Sequence, residues 1–236
     1  MRKKILYHAC IDNEIEMVEF FLIFDKIDVN KYEYKSGKTP LIGAIMKGHV
    51  KIAELLINYP KTDINCKDFD ENTPLTMDVK NNLKDIIDLL IKNERFNPKE
   101  SRLNHAFLIS TGDISKQLIH LENLDINHVF IGEENEENII QTFLTNSADK
   151  KDVDKIDLIL NHPLFDKEKS NIFDALLISI KNNDVVIFNK LIDIYSKTNI
   201  NRGEEILLYA IQHSSNEIIK AINDNQKFGN TFLEID

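Results

Sequence analysis

From Ser36 to Asn65 the apolar residues arrive in two bursts with a polar break between them. Leu41 and Ala44 lie in the first. Val50, Ile52, Ala53, Leu55, Leu56 and Ile57 make the second, a stripe wide enough for one buried helix face. The flanks carry start and stop chemistry. Thr39-Pro40-Leu41 predicts a helix start. A threonine hydroxyl can accept from an orphan N–H at the cap, and proline suits the first helical position because its missing N–H would have no partner there. Gly48 predicts a stop, since glycine takes the left-handed conformation past a helix end without a Cβ clash. His49 opens the second helix, Pro60 keeps it from passing Tyr59, and Asp63-Ile64-Asn65 leads back toward the next unit.

The same text returns downstream. Thr39, Pro40 and Leu41 reappear 34 positions later as Thr73, Pro74 and Leu75, and Leu55 and Leu56 as Leu89 and Leu90. A helix–turn–helix unit of this period with a Thr-Pro-Leu start resembles the ankyrin repeat, whose period is about 33 residues. The run Gly37-x-Thr39-Pro40-Leu41-x-x-Ala44-x-x-x-Gly48-His49 carries the resemblance. It implies an all-α fold, an ankyrin-repeat solenoid of about seven helix–turn–helix units with short hairpin loops.

In that register residues 1–236 are expected to form a single ankyrin-repeat domain, with units at about 1–32, 33–67, 68–100, 101–129, 130–168, 169–201 and 202–226. Gly229-x-Thr231-x-Leu233 repeats Gly37-x-Thr39-x-Leu41, so a further unit or cap is expected to open within 227–236. The first unit lacks the leading hairpin and puts Asn13 in the place of Gly48. Its Arg2, Lys3 and Lys4 suit the polar outer face that a terminal unit presents to solvent. The third unit puts Asp78 where Ala44 stands. That place is buried in the family the chain resembles, and an unpaired buried carboxylate is costly, so the helix is expected to rotate or Asp78 to find a partner. Residues 101–129 are short by two, a loss assigned to helix two, which predicts the weakest joint of the stack. The acidic run Gly132–Glu137 reads as a long hairpin tip or a loop. Thr142-Phe143-Leu144 then restores the helix start at a shift of 103, followed by the stripe Val153, Ile156, Leu158, Ile159 and Leu160. Later copies follow at shifts of 135 and 166, with Asn199-Ile200-Asn201 closing one and Ser214 in the other.

Charge and composition narrow the partners. A net charge of −10 and a pI near 5.2 speak against nucleic acid and against an anionic membrane, which both need a basic footprint. No apolar run has the length of a membrane span, and the acids at Asp12, Glu14 and Glu16 do not fit a secretory signal. Cys10 and Cys66 fall at different places of neighbouring units, so no disulfide is expected. The chain is expected to be cytoplasmic and monomeric, with a nuclear location or delivery into a host cell as alternatives.

Nothing in the sequence assembles a catalytic or metal site. None of the seven histidines is followed by Glu-x-x-His. Gly37-Lys38-Thr39 lacks the earlier glycine and the strand of a phosphate loop, and the acids of Asp149–Asp154 lack the turn glycine of a calcium loop. No enzyme activity, cofactor or metal is therefore expected. The resemblance implies a scaffold that binds a protein partner through hairpin tips and the concave face of the first helices. The alternative is a targeting domain of a longer enzyme or channel, or a secreted effector. Carried over from the family, the solvent-facing places are Lys35, Ser36, Lys38, Met46 and Lys47 in one unit and Phe69, Asp70, Asn72, Lys80 and Asn81 in the next. Tyr34 and Phe69 stand at hairpin tips, where an exposed aromatic either anchors a partner or packs on the neighbouring hairpin.

Overall fold

The computed structural model describes residues 5–24, 27–134, 137–198, 202–213 and 216–225. They fall into two compact units, one ending at Leu124 and the other beginning at Asp125. The fold class is the all-α repeat class: seven helix pairs among the described residues. The calls on Arg2–Lys4, Asn199–Asn201, Ser214 and 227–236 lie outside the described residues.

In the first unit the pairs are α1 (Ile5–Ile11) with α2 (Ile15–Ile23), α3 (Pro40–Met46) with α4 (Val50–Asn58), α5 (Pro74–Asn81) with α6 (Lys84–Ile91), and α7 (Leu103–Ile109) with α8 (Gly112–Leu118). The boundaries follow the local chemistry. Thr39 caps α3 by accepting from the Ile42 N–H at 3.3 Å, and Pro40 is the first helical residue. Thr73 and Thr76 cap α5 reciprocally, each hydroxyl accepting from the other's backbone N–H at 3.2 and 2.9 Å. Gly48 sits at φ +70, and a Cβ there would meet nothing, so conformation and not space asks for glycine. Asn13 takes the same left-handed shape at φ +61. The core is the two apolar bursts. Leu41, Ile42, Ala44 and Ile45 of α3 and Ile52, Ala53, Leu56 and Ile57 of α4 are all buried.

Neighbouring pairs are stapled by the return loops. In Asp28-Val29-Asn30 and Asp63-Ile64-Asn65 the aspartate Oδ1 accepts from the asparagine N–H, at 3.1 and 2.9 Å. The asparagine amide then bridges to the next loop. Asn30 donates to the Lys61 carbonyl and accepts from the Asp63 N–H, both at 2.8 Å. Asn65 donates to the Arg95 carbonyl at 2.8 Å and accepts from the Asn97 N–H at 2.9 Å. Each staple satisfies loop backbone groups that no helix can reach. Arg95 adds a larger one, donating to the carbonyls of Ile57, Tyr59, Pro60 and Thr62 at the end of α4. A cation suits those orphan carbonyls at a helix C-terminus.

The second unit opens with a β-hairpin. Strand β1 (Val129–Glu134) pairs antiparallel with β2 (Glu137–Thr142), in a register that sets Val129 opposite Thr142 and Glu134 opposite Glu137. Of the two readings of the acidic run, the hairpin is the one the fold adopts, and it is longer than the short loops expected throughout. Three helix pairs follow: α9 (Phe143–Asp149) with α10 (Val153–Leu160), α11 (Ile172–Lys181) with α12 (Val185–Tyr195), and α13 (Gly203–Gln212) with α14 (Asn216–Asp224). Asn127 repeats the staple, donating to the Leu164 carbonyl and accepting from the Asp166 N–H, both at 2.8 Å.

Two expectations change. Asp78 is fully buried, and both its carboxyl oxygens lack a hydrogen-bond partner. The helix has not rotated and no partner has come. Burial instead pushes its pKa well above the usual carboxylate value, favouring the neutral form. The second change concerns the outer face of the first pair, expected to be polar. On α2, Met17, Phe20 and Ile23 are exposed, as is Phe24 at its end. In the short unit the second helix is the shorter one, as expected: α8 has seven residues where α4 has nine.

Candidate partner-binding surface

The tips before α3 and α5 are built as tight turns. In the first, the Glu33 N–H donates to the Lys38 carbonyl at 2.8 Å and Gly37 N–H to the Glu33 carbonyl at 2.8 Å. The Glu33 carboxylate closes the turn from inside, accepting from the Lys35 and Ser36 N–H groups and the Ser36 hydroxyl, each at 2.9 Å. In the second, Asp68 does the same work. Its Oδ1 accepts from the Asp70 N–H at 3.0 Å and the Asn72 N–H at 2.8 Å. The left-handed turn residue is Gly37 at φ +71 in one tip and Glu71 at φ +60 in the other.

The two tips are joined. The Phe69 N–H donates to the Ser36 carbonyl at 3.0 Å. The Phe69 ring lies over Gly37, where an added Cβ would come within 2.4 Å of it. Lys38 reaches across to Asp68 at 3.5 Å and Asp70 at 3.8 Å. Asp68 is buried, so that pair is shielded from the solvent that screens surface ion pairs.

This geometry sorts the candidate residues. Tyr34 is 79% exposed and Phe69 62%, while Asp70, Lys35, Lys47, Lys80 and Asn81 are also exposed. Tyr32, absent from the sequence-based set, stacks edge-on against Phe69 with ring centroids 5.7 Å apart and is itself 57% exposed. The signal for it was an aromatic two residues before Tyr34. Phe69 packs one side on the neighbouring hairpin, the second of the two expectations, and its remaining surface faces water. Three residues are committed inward. Ser36 is half-buried on Glu33, Lys38 is tied to Asp68, and half-buried Asn72 donates to Asp68 and accepts from Lys80 at 2.6 Å. They position the tips and offer little to a partner. At the ends of the first helices, Met46 is half-buried, and the Asn81 amide donates to the Ile45 carbonyl at 2.7 Å. That bond fixes α5 against α3 and leaves Lys47 and Lys80 exposed at the helix ends, Lys80 bonded to Asn72.

Among the described residues no group of three or more His, Cys, Asp or Glu side chains could hold a metal ion. No described helix is long and apolar enough to cross a membrane. Both cysteines are free thiols, and burial pushes each up to about 12. A groove of about 610 Å³ in the second unit, lined by Leu160, Pro163, Leu164, Phe165, Asp166, Lys167 and Ile194, is open and carries no convergent polar chemistry.

Comparison with known proteins agrees with the local chemistry. Residues 1–68 match the family model described as ankyrin repeats, three copies. No curated protein matches the chain by sequence. Among solved structures, the ankyrin repeat domain of Bcl-3, a member of the IkappaB protein family, is similar with a TM-score of 0.70 at 15% identity, covering 92% of this chain and 96% of that one. The ankyrin repeat domain of human ASB11 is similar with a TM-score of 0.56 at 15% identity, covering 84% of this chain and 85% of that one. At such identities the likeness is one of fold.

Proposed function

We propose that this chain, whose first 68 residues are ankyrin repeats and whose fold is that of an ankyrin-repeat domain, is a non-enzymatic scaffold that binds a partner protein through its hairpin tips. One observation carries the reading. Tyr32, Tyr34 and Phe69 present exposed rings on two adjacent tips whose backbones are locked by Glu33, Asp68 and Lys38. Rigid aromatic groups lose little conformational freedom on binding, which is why such residues dominate interface energetics. Exposed Lys35, Lys47 and Lys80 favour an acidic stretch of the partner near the rings. A cytoplasmic setting goes with this reading and is supported by the two free thiols.

A photo-crosslinking amino acid placed at Tyr34 tests it in the source cell, with the same group at exposed Lys51 on α4 as the control. The expected result is a discrete protein adduct at Tyr34 that is absent at Lys51 and is lost when Phe69 is also changed to Ala. Equal labelling at both positions overturns the proposal.

A further inference from the structure

The N-terminal edge of the first unit carries a second surface, independent of the hairpin tips. At the third position of the second helix stands Ile52 in α4, Ile86 in α6, Ile114 in α8, Ile187 in α12 and Ile218 in α14, with Lys155 in α10, and none is more than 2% exposed. The same position in α2 is Met17, and it is 43% exposed. Ile218 is buried although no described helix follows α14, whose described neighbours are α13 and α12. Helix α4 packs on α2, α6 on α4, and α14 on α12, while α2 has no preceding helix among the described residues. Among the described residues, Met17 on the stacking face of α2 is left exposed. This is not a polar terminal face: Phe20 and Phe24 continue the row from Met17, with ring centroids 4.7 Å apart, and Ile23 is 80% exposed beside them. A helical spacing of three and four puts Met17, Phe20 and Phe24 on one stripe.

Charge chooses the occupant. Glu16 and Glu19 flank the stripe and Asp12 and Glu14 stand before it, all exposed and without an ion pair among the described residues. A second copy meeting this face with its own would bring these carboxylates together on a chain that already carries a net charge of −10. We propose that the open face of α2 docks a basic amphipathic helix of a partner protein. Its apolar row would cover Met17, Phe20 and Phe24 as α2 itself covers Ile52 of α4, and its cations would meet Glu16 and Glu19.

The probe is a labelled synthetic helix of about four turns, with leucines at i, i+3 and i+7 and lysines elsewhere, titrated into the full chain by fluorescence anisotropy. Its counterpart carries glutamate in place of every lysine. The lysine helix is expected to bind, with an affinity that falls as salt rises, and the glutamate helix to bind far more weakly. Phe20→Ser is expected to weaken the lysine helix by about tenfold or more, the loss typical of one aromatic anchor. The pair Glu16→Gln with Glu19→Gln should reduce both the affinity and its salt dependence, while Leu164→Ser, an exposed apolar change in the second unit, should leave it unaltered. Ile23→Ser gives a second reading of the face should Phe20→Ser alter the circular dichroism. Equal binding of the two helices overturns the proposal, as does wild-type affinity in both serine variants. A concentration-dependent dimer of the free chain that Phe20→Ser dissociates would also overturn it, in favour of a second copy.

Discussion

The pairs α5–α6 and α9–α10 begin alike and part at one residue each. Both first helices are capped by a Thr-x-x-Thr box: Thr73 with Thr76, and Thr142 with Thr145. In both, the cap hydroxyl donates to a serine carbonyl 28 residues on, Ser101 at 2.9 Å and Ser170 at 3.0 Å. The niche one turn further along is the same as well. It holds Ala9, Ala44, Asp78, Ala106, Ser147, Ser179 and Ala210 in the seven pairs, and none is more than 2% exposed. Ser147 and Ser179 close their hydroxyls onto their own helices, donating to the carbonyls of Phe143 at 2.8 Å and Leu176 at 2.6 Å. Asp78 has a second oxygen and a potential charge, and neither oxygen finds a partner. In the other pair the departure is on helix two. Lys155 stands in the place of Ile52, only 2% exposed, and burial lowers it from 10.5 to about 7 despite the opposing charge of Asp152. The lesson is that one architecture accommodates an ionisable residue on either helix while burial shifts each pKa toward the neutral form, which gives opposite pH dependence.

Exchanging the niche residues is the strongest way to break that comparison. Ser147→Asp should destabilise the second unit by roughly 3 kcal/mol at neutral pH, since a carboxyl cannot close onto its own helix as the hydroxyl does. Urea unfolding followed by hydrogen exchange in α9 checks it, and a loss below measurement error would show that the niche holds polar groups freely.

Asp78→Ala should stabilise the first unit by roughly 1–3 kcal/mol at pH 7, by removing two unsatisfied buried oxygens. The sign of the pH effect follows from linkage. The folded pKa lies above the ordinary 3.8, so the unfolded chain releases its proton first. The Asp78 contribution to wild-type stability is greatest below that value and is lost as pH rises toward the folded pKa. The variant should lack that decline, as measured by urea midpoints across the acid-to-neutral range.

Lys155→Ile should remove the reverse slope. The unfolded lysine holds its proton up to 10.5 and the folded one only to about 7, so wild-type stability rises with pH across that window. The variant should be flatter there and more stable below pH 7, by roughly 1–3 kcal/mol. Hydrogen exchange of α10 amides, compared on either side of the window, reads the difference.

The smallest effect concerns what the two pairs share. Thr73→Ala and Thr142→Ala should each cost about 1 kcal/mol, the usual loss of a helix N-cap. Equal shifts in urea midpoint would confirm that the caps are equivalent and that the contrast lies in the niche and the stripe alone.

Much of this was legible in the chain. The register placed Lys155 under Ile52 by the shift of 103 that also matched the helix start, yet the stripe written for that unit passed over it because a lysine carries no apolar signal. Asp78 was conspicuous for the opposite reason, as a charge among small residues. Its outcome was not legible, because pairing, rotation and protonation differ only in the surroundings that three helices create. Among the candidate site residues, Tyr34, Phe69 and Asp70 emerged exposed, whereas Ser36, Lys38 and Asn72 turned inward. Their partners Glu33 and Asp68 lie three to thirty residues away, and a hairpin's inner hydrogen bonds have no periodic signature.

The sequence by itself determined the helix pairs, their caps, the left-handed stops at Asn13 and Gly48, and the Asp-x-Asn loops. Each depends on residues within a few positions of one another, so the local pattern carries it. Only the tertiary structure decided that Arg95 closes the end of α4, that Phe69 lies over Gly37, that Asp78 is buried without a partner, and that Met17 and Phe20 of α2 are exposed. Those outcomes depend on what lies across a repeat boundary. Neighbouring repeats meet there through side chains spaced about one repeat apart, and burial, not propensity, sets their chemistry.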